Sequence, residues 1–90
     1  MKKIVATGKF KKDVKRYSNR PDKLHKLYKV VKVLSAGNNL PAESKLHVLS
    51  GNHKDFMECH IENDLLLIWL DELEDIIKLV RFGTHSELFK

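Results

Sequence analysis

The chain has 90 residues, 42% apolar and 32% charged, with a formal net charge of +5. That balance excludes a disordered chain and predicts a single globular domain, 1–90, with a modest core. One cysteine, Cys59, excludes an intramolecular disulfide and a multi-cysteine zinc site and fits a reducing compartment. No apolar run is long enough to span a membrane, and the stretch after Met1-Lys2-Lys3 is too short for a signal peptide, so the expected setting is the cytoplasm, with no membrane partner.

Lys2–Ala6 is β-prone and reads as a strand, and Thr7 is placed to cap a helix starting near Gly8 or Lys9. Phe10, Val14 and Tyr17 recur at i, i+4 and i+7, the apolar stripe of that helix, with Lys11, Lys12, Lys15 and Arg16 around it. Ser18-Asn19-Arg20-Pro21-Asp22 interrupts it, and Pro21 suits the first turn of a second helix. That helix carries a stripe of Leu24, Leu27, Tyr28, Val31 and Leu34, keeps Lys23, Lys26, Lys29 and Lys32 in water, and ends at Gly37. The pair reads as a helical hairpin.

Residues 38–55 read as a long connection, interrupted by Leu46, Val48 and Leu49 as an ordered or briefly extended segment. Three strands follow. Phe56–Ile61 alternates, with Met57, Cys59 and Ile61 on one face and Phe56, Glu58 and His60 on the other. Leu65–Leu70 is apolar throughout, as in a central strand covered on both faces. Ile76–Phe82 follows the acidic turn Asp71-Glu72-Leu73-Glu74-Asp75, and the chain turns again at Gly83. Short connections predict an antiparallel meander.

Strand direction then brings chemistry together. The first strand ends at His60, the turn to the second holds Asp64, and the third ends at Arg81; all three points share one edge of the sheet, the outer strands roughly 10 Å apart. His85 follows within a few residues. His60, Asp64, Arg81 and His85 thus surround a space suited to a phosphate and its neighbours. Metal-free cleavage of RNA needs a base for the 2′-hydroxyl, an acid for the leaving 5′-oxygen, and a cation for the phosphate oxygens. Imidazoles serve both proton transfers, arginine binds phosphate in a fork, and Phe89 can stack on a base. A zinc site from His47, His60, His85 and Asp64 uses legitimate ligands, but no His-x3-His spacing supports it. Cys59 and Trp69 read as core residues, and His25 and His53 as surface ones.

Charge is divided unevenly: residues 1–37 carry +10 and residues 38–90 carry −5. A basic half attracts polyanions, RNA above all.

His47-x-Leu49-x-Gly51, Glu58-Cys59-His60-Ile61-x-x-Asp64, a Leu-Leu-Ile strand, and Arg81-x-Gly83-Thr84-His85-Ser86-x-Leu88-Phe89 together resemble the YafQ-type toxins of the RelE superfamily. The resemblance covers most of residues 41–89, in order and spacing. It implies an α+β fold, two N-terminal helices packed on a curved antiparallel sheet. It implies a ribosome-dependent mRNA endonuclease without metal or organic cofactor, the toxin of a type II pair silenced by a cognate antitoxin. Its functional positions fall on His47, His60, Asp64, Arg81, His85 and Phe89. His85 is the expected acid, His60 or His47 the base, Asp64 the group that orients a histidine, and Arg81 the phosphate ligand. Phe89 packs on a base, and Lys11, Lys12, Lys15 and Arg16 contact ribosomal RNA. Close relatives often carry Trp after the aspartate, where this chain has Leu65. The competing expectation is a non-catalytic toxin that inhibits a protein such as a DNA gyrase.

Overall fold

The computed structural model describes residues 2–38, the backbone of 47–48, and residues 56–71 and 75–89. Strand β1 (Lys3–Ala6) leads into helices α1 (Gly8–Arg16) and α2 (Pro21–Ser35). Strands β2 (His47–Val48), β3 (Met57–Glu62), β4 (Leu65–Asp71) and β5 (Ile76–Gly83) follow, then a single helical turn, α3 (His85–Leu88).

Local signals set the helix ends. Thr7 is the N-cap of α1, its hydroxyl accepting from the Phe10 N–H at 3.0 Å. Pro21 occupies the first turn of α2. At the other end Gly37 has φ +76°, and its N–H bonds Leu34 O while Asn38 N–H bonds Val33 O. This paired closure needs a left-handed residue, which glycine adopts without a Cβ clash.

The five strands form one sheet in the order β1-β5-β4-β3-β2. β2 to β5 pair antiparallel, as the short connections predict. The sheet is nonetheless mixed, because β1 lies parallel to β5, with Lys3 opposite Ile76 and Ala6 opposite Leu79. A parallel partner needs a long crossover, and the intervening helices and strands supply it. No helix among the described residues is long and apolar enough to cross a membrane.

One face of the sheet packs on the helices. Phe10 of α1 and Tyr17 at its C-cap, Leu27 and Leu34 of α2, and Cys59, Leu65, Leu67, Trp69, Ile77, Leu79 and Phe82 of the strands form one buried cluster. Phe82 is its centre, 5.1 Å from the Tyr17 ring and 6.4 Å from the Phe10 ring. Leu66 and Ile68, on the opposite face of β4, are also buried, so the central strand is covered on both sides as its continuous apolar run predicts.

Two expectations for α2 change. Tyr28 is not in the buried stripe: it is 58% exposed, and Val30 packs on the core beside Val31. The contact face of α2 is rotated towards Val30, which leaves the Tyr28 ring in water. Lys23 is not simply solvated either. Its Nζ lies 2.7 Å from Glu62 Oε2, and Lys26 Nζ lies 2.8 Å from Glu62 Oε1. A bulge at Ile61 makes this clamp possible: His60 pairs with Leu66 but Glu62 with Leu65, so Ile61 packs on the core while Glu62 still meets α2. Leu46 and Leu49 of the expected extended segment, His53, and Glu72-Leu73-Glu74 of the acidic turn lie outside the described residues.

Candidate active site

The expected functional residues collect where β3 ends, β4 begins and β5 gives way to α3. Thr84 is the N-cap of α3, and Thr84 and Glu87 form a reciprocal capping box. His85 therefore sits on the first turn, projecting from a capped helix end. Its ring Nδ1 is 2.7 Å from Asp64 Oδ1, and its backbone N–H donates to the same oxygen at 3.2 Å. A carboxylate only accepts, so Nδ1 carries the hydrogen and Nε2 is turned away from Asp64. Asp64 itself is held below the ordinary aspartate range, chiefly by the hydrogen bond from the His85 ring and then by that from its backbone.

His60 approaches from β3, its ring edge-on to His85 at 6.1 Å between centroids. Phe89, at the end of α3, lies 6.1 Å from His85 on another side and is 41% exposed. His60, Asp64, His85 and Phe89 are thus brought together. His47 enters β2 with its backbone opposite Glu58, two residues before His60; its side chain lies outside the described residues. Leu65, where the resemblance leads one to expect Trp, is turned into the core and buried, so in this chain that position packs the sheet and offers no ring to RNA.

Arg81, the expected phosphate ligand, is paired with a carboxylate. Its Nε donates to Asp13 Oδ2 at 2.7 Å and its Nη2 to Asp13 Oδ1 at 3.2 Å. Asp13 is buried on α1, and Oδ2 also accepts the Phe82 N–H at 3.0 Å. The sheet explains why. β1 pairs with β5 only as far as Leu79, after which Thr7 N–H bonds Leu79 O and the Thr7 hydroxyl donates to Val80 O. Beyond that point the β5 edge has no strand beside it among the described residues, and the Asp13 carboxylate takes the Phe82 amide instead. A bulge at Val80, between the pairs Trp69–Leu79 and Ile68–Arg81, sends both Leu79 and Phe82 into the core and leaves Arg81 beside Ile68. The hydrogen bond to Asp13 holds the guanidinium more firmly protonated still.

Arg81 still borders a pocket of about 170 Å³, walled by Phe56, Ile68, Val80, Leu88 and Phe89 and edged by Lys9. The pocket has an apolar floor and cationic rims, and it shares Phe89 with the histidine cluster.

α3 is tied back to α1. Glu87 Oε1 accepts from the Tyr17 hydroxyl at 2.6 Å and from Thr84 N–H at 2.8 Å, while Oε2 lies 3.4 Å from Arg16 Nη1. Arg16 is therefore not only a surface cation, whereas Lys11, Lys12 and Lys15 are exposed as expected. Burial and the Glu87 bond push the Tyr17 phenol up to about 12. Burial alone would raise Glu87, but the bonds from Tyr17 and Thr84 and the charge of Arg16 outweigh it and hold the carboxyl low.

Cys59 is fully buried, and burial, aided by neighbouring Glu58, pushes its thiol up to about 12, which removes it from nucleophilic chemistry. Trp69 is buried and His25 exposed, as the sequence predicts.

Sequence reasoning missed Asp13 and Glu87. Asp13 carried a signal: it lies between Phe10 and Val14 on the apolar stripe, where a carboxylate is out of place unless paired. Glu87 carried another, the Thr84-x-x-Glu87 spacing of a capping box.

Residues 2–90 match the model of the family described as the bacterial toxin of a type II toxin–antitoxin system, YafQ. The chain belongs to the YafQ family. The mRNA interferase toxin YafQ of Escherichia coli strain K12 is 35% identical over 88 residues, 96% of this chain and 94% of that protein. A metal-bound toxin from Helicobacter pylori is 43% identical, with a TM-score of 0.88 over 99% of this chain and 100% of that one. YafQ in its E. coli complex with DinJ is 32% identical, with a TM-score of 0.86 over 100% of both chains. This YafQ-type member of the RelE superfamily is the toxin of a type II toxin–antitoxin pair, with the helices-on-sheet fold of its relatives.

Proposed function

We propose that this toxin is a ribosome-dependent mRNA endonuclease that works by acid–base catalysis, and that a cognate antitoxin protein silences it. The Asp64–His85 hydrogen bond beside the His60 ring carries the reading: it is a proton-transfer pair with one ring nitrogen fixed and the other available. The family relationship to an mRNA interferase supports the substrate, and the complex of E. coli YafQ with DinJ supports the antitoxin.

In the proposed reaction an RNA 2′-hydroxyl attacks the adjacent phosphorus, and its proton passes to His60 or His47. The bond from phosphorus to the 5′-oxygen breaks as His85 Nε2 delivers a proton to that oxygen. The products are a 2′,3′-cyclic phosphate and a 5′-hydroxyl. Asp64 positions the His85 ring, Arg81 stabilises charge on the phosphate oxygens, and Phe89 packs on a base at the mouth of the pocket. The lysines of α1 meet ribosomal RNA.

Purified protein, ribosomes and mRNA in a magnesium buffer test this directly, with the RNA ends mapped by sequencing. Expected are cyclic-phosphate and 5′-hydroxyl ends on ribosome-bound message, far more than on naked RNA, and unaffected by a chelator selective for zinc and copper. The metal-bound relative from H. pylori makes that control pointed: activity lost with the chelator and restored by zinc assigns the cluster to a metal instead. A toxin that arrests growth without cutting RNA is the non-catalytic inhibitor of a protein target.

A further inference from the structure

We infer that Asp13 is a positioning residue of this active site: it grips Arg81 by one edge of the guanidinium, so that the opposite edge is presented to the phosphate. The inference rests on the nuclease reading above and adds to it a residue on a helix that carries none of the expected catalytic groups.

A guanidinium has two forks that can meet an oxyanion, one formed by Nε and Nη2 and the other by Nη1 and Nη2. Asp13 takes the first, at 2.7 and 3.2 Å. Nη1 makes no hydrogen bond among the described residues, and Arg81 remains a wall of the pocket that also holds Phe89. A carboxylate and a phosphate therefore do not compete for the same edge. The pairing leaves one edge for substrate and removes the rotational freedom that a long side chain would otherwise lose on binding.

The charge on Asp13 is what separates this role from scaffolding. The open β5 edge asks only for an acceptor opposite the Phe82 N–H, and a neutral side chain supplies one. Burying a full carboxylate is costly unless a cation meets it, and removing either partner leaves the other uncompensated. Asp13 is 2% exposed and its cationic partner is Arg81, whose side chain remains 26% exposed and lines the pocket. A buried anion, a half-open cation and a pocket wall thus lie in series from α1 to the candidate active site.

The experiment is a double-mutant cycle on ribosome-dependent cleavage. Asp13→Asn keeps an acceptor for the Phe82 amide but removes the charge and the oxygen that meets Nη2, so the two-point grip on the guanidinium is lost. It should lower kcat about 10²-fold, the scale of a misplaced catalytic group, with a smaller change in KM. In an Arg81→Gln background the same substitution should cost almost nothing in rate, because there is no longer a guanidinium to aim. Equal losses in both backgrounds would show that Asp13 only braces the fold, and would overturn the inference while leaving the nuclease reading intact. Should Asp13→Asn fail to fold, the wild-type protein gives the answer by NMR. Titrated with a 2′-O-methyl oligonucleotide, the Arg81 Nη resonances should shift while the Nε–H signal stays in place. Displacement of the Nε–H signal would mean that substrate takes the edge assigned to Asp13. Absence of RNA cleavage by the wild type is a separate result that sinks the proposed function itself.

Discussion

Gly83 is the most informative single position to perturb, because one added methyl group tests how α3 is held. A Cβ there would lie 2.7 Å from Glu87 Oε1 and 3.3 Å from Leu88 Cδ2. The first contact is too short to persist, so Glu87 must move. Its Oε1, however, accepts from Tyr17 at 2.6 Å and from Thr84 N–H at 2.8 Å, and both bonds fail when it does. Overpacking typically costs about 1–3 kcal/mol, and a lost helix cap about 1 kcal/mol. At φ +159° a side chain is also strained, which offsets the roughly 0.4–1 kcal/mol that a restricted unfolded chain returns. Gly83→Ala should therefore destabilise by on the order of 2–3 kcal/mol, a Tm drop of roughly 10–20 °C for a domain of this size. Activity should fall further than stability, because His85 rides on the first turn of α3; about 10²-fold at a temperature where the variant is folded is the expected scale. Thermal unfolding by circular dichroism and ribosome-dependent cleavage read the two effects. Glu87→Ala removes the clashing atom, so adding it to Gly83→Ala should cost clearly less than the two single effects together. A Gly83→Ala protein with unchanged Tm and rate, or a strictly additive double variant, refutes the account of the latch.

Three further outcomes are expected. His85→Gln should lower cleavage by about 10²–10⁴-fold, leave stability within about 0.5 kcal/mol because the ring is surface-exposed, and let the Asp64 pKa rise, since the ring hydrogen bond is the first cause of its depression; a carboxyl-detected NMR titration sees the last effect. Lys11, Lys12 and Lys15 changed together to Gln should weaken ribosome binding and flatten its salt dependence without lowering Tm, with Arg16 left in place because it meets Glu87; an unaltered salt slope would make those lysines solubilising only. Glu62 is held at about 2 by hydrogen bonds from Lys23 and Lys26, so its folded-state pKa lies below its unfolded value. Its contribution is present above about pH 4.3, the ordinary glutamate value, and is lost as pH falls towards 2. Acid unfolding followed from pH 5 to 2 should be less steep in Glu62→Gln than in the wild type.

What the sequence disclosed, and what it withheld, follows from the range of the interactions. Phe10, Val14 and Tyr17, the capping Thr7, Pro21 and Gly37 are local signals, read within a turn or two, and the elements they define form where expected. The alternation of Met57, Cys59 and Ile61 was legible for the same reason. β1 beside β5 was not, because a parallel pairing separated by about 70 residues leaves no mark in either strand. Bulges escaped too. Alternation continued from Ile77 and Leu79 would bury Arg81 and expose Phe82, and the extra residue at Val80 inverts that. The inversion makes Phe82 the centre of the core and puts Arg81 on the pocket wall, so one irregularity serves both packing and site.

The partners of Asp13 and Glu87 are illegible in the sequence for the same reason, since Arg81 and Tyr17, which they bond, lie far along the chain from them. The expected chemistry falls on the histidines, Arg81 and Asp64. Yet Arg81 and His85 are each held by an acid from another element, and a further acid ties α3 to α1. Asp13 on α1 fixes Arg81 on β5, Asp64 in the β3–β4 turn fixes His85 on α3, and Glu87 on α3 fixes Tyr17 and Arg16 on α1. These links close a loop through α1, β5 and α3. Displacing α1 would loosen the guanidinium through Asp13 and the His85 helix through Tyr17 at once. An antitoxin that shifted α1 relative to β5 would thus disable both groups without touching either, whereas one that merely covered Phe89 would leave the Asp13–Arg81 and Tyr17–Glu87 bonds intact. Hydrogen exchange at the Phe82 amide separates the two: faster exchange in the complex than in the free toxin goes with displacement of α1, and equal or slower exchange with simple occlusion.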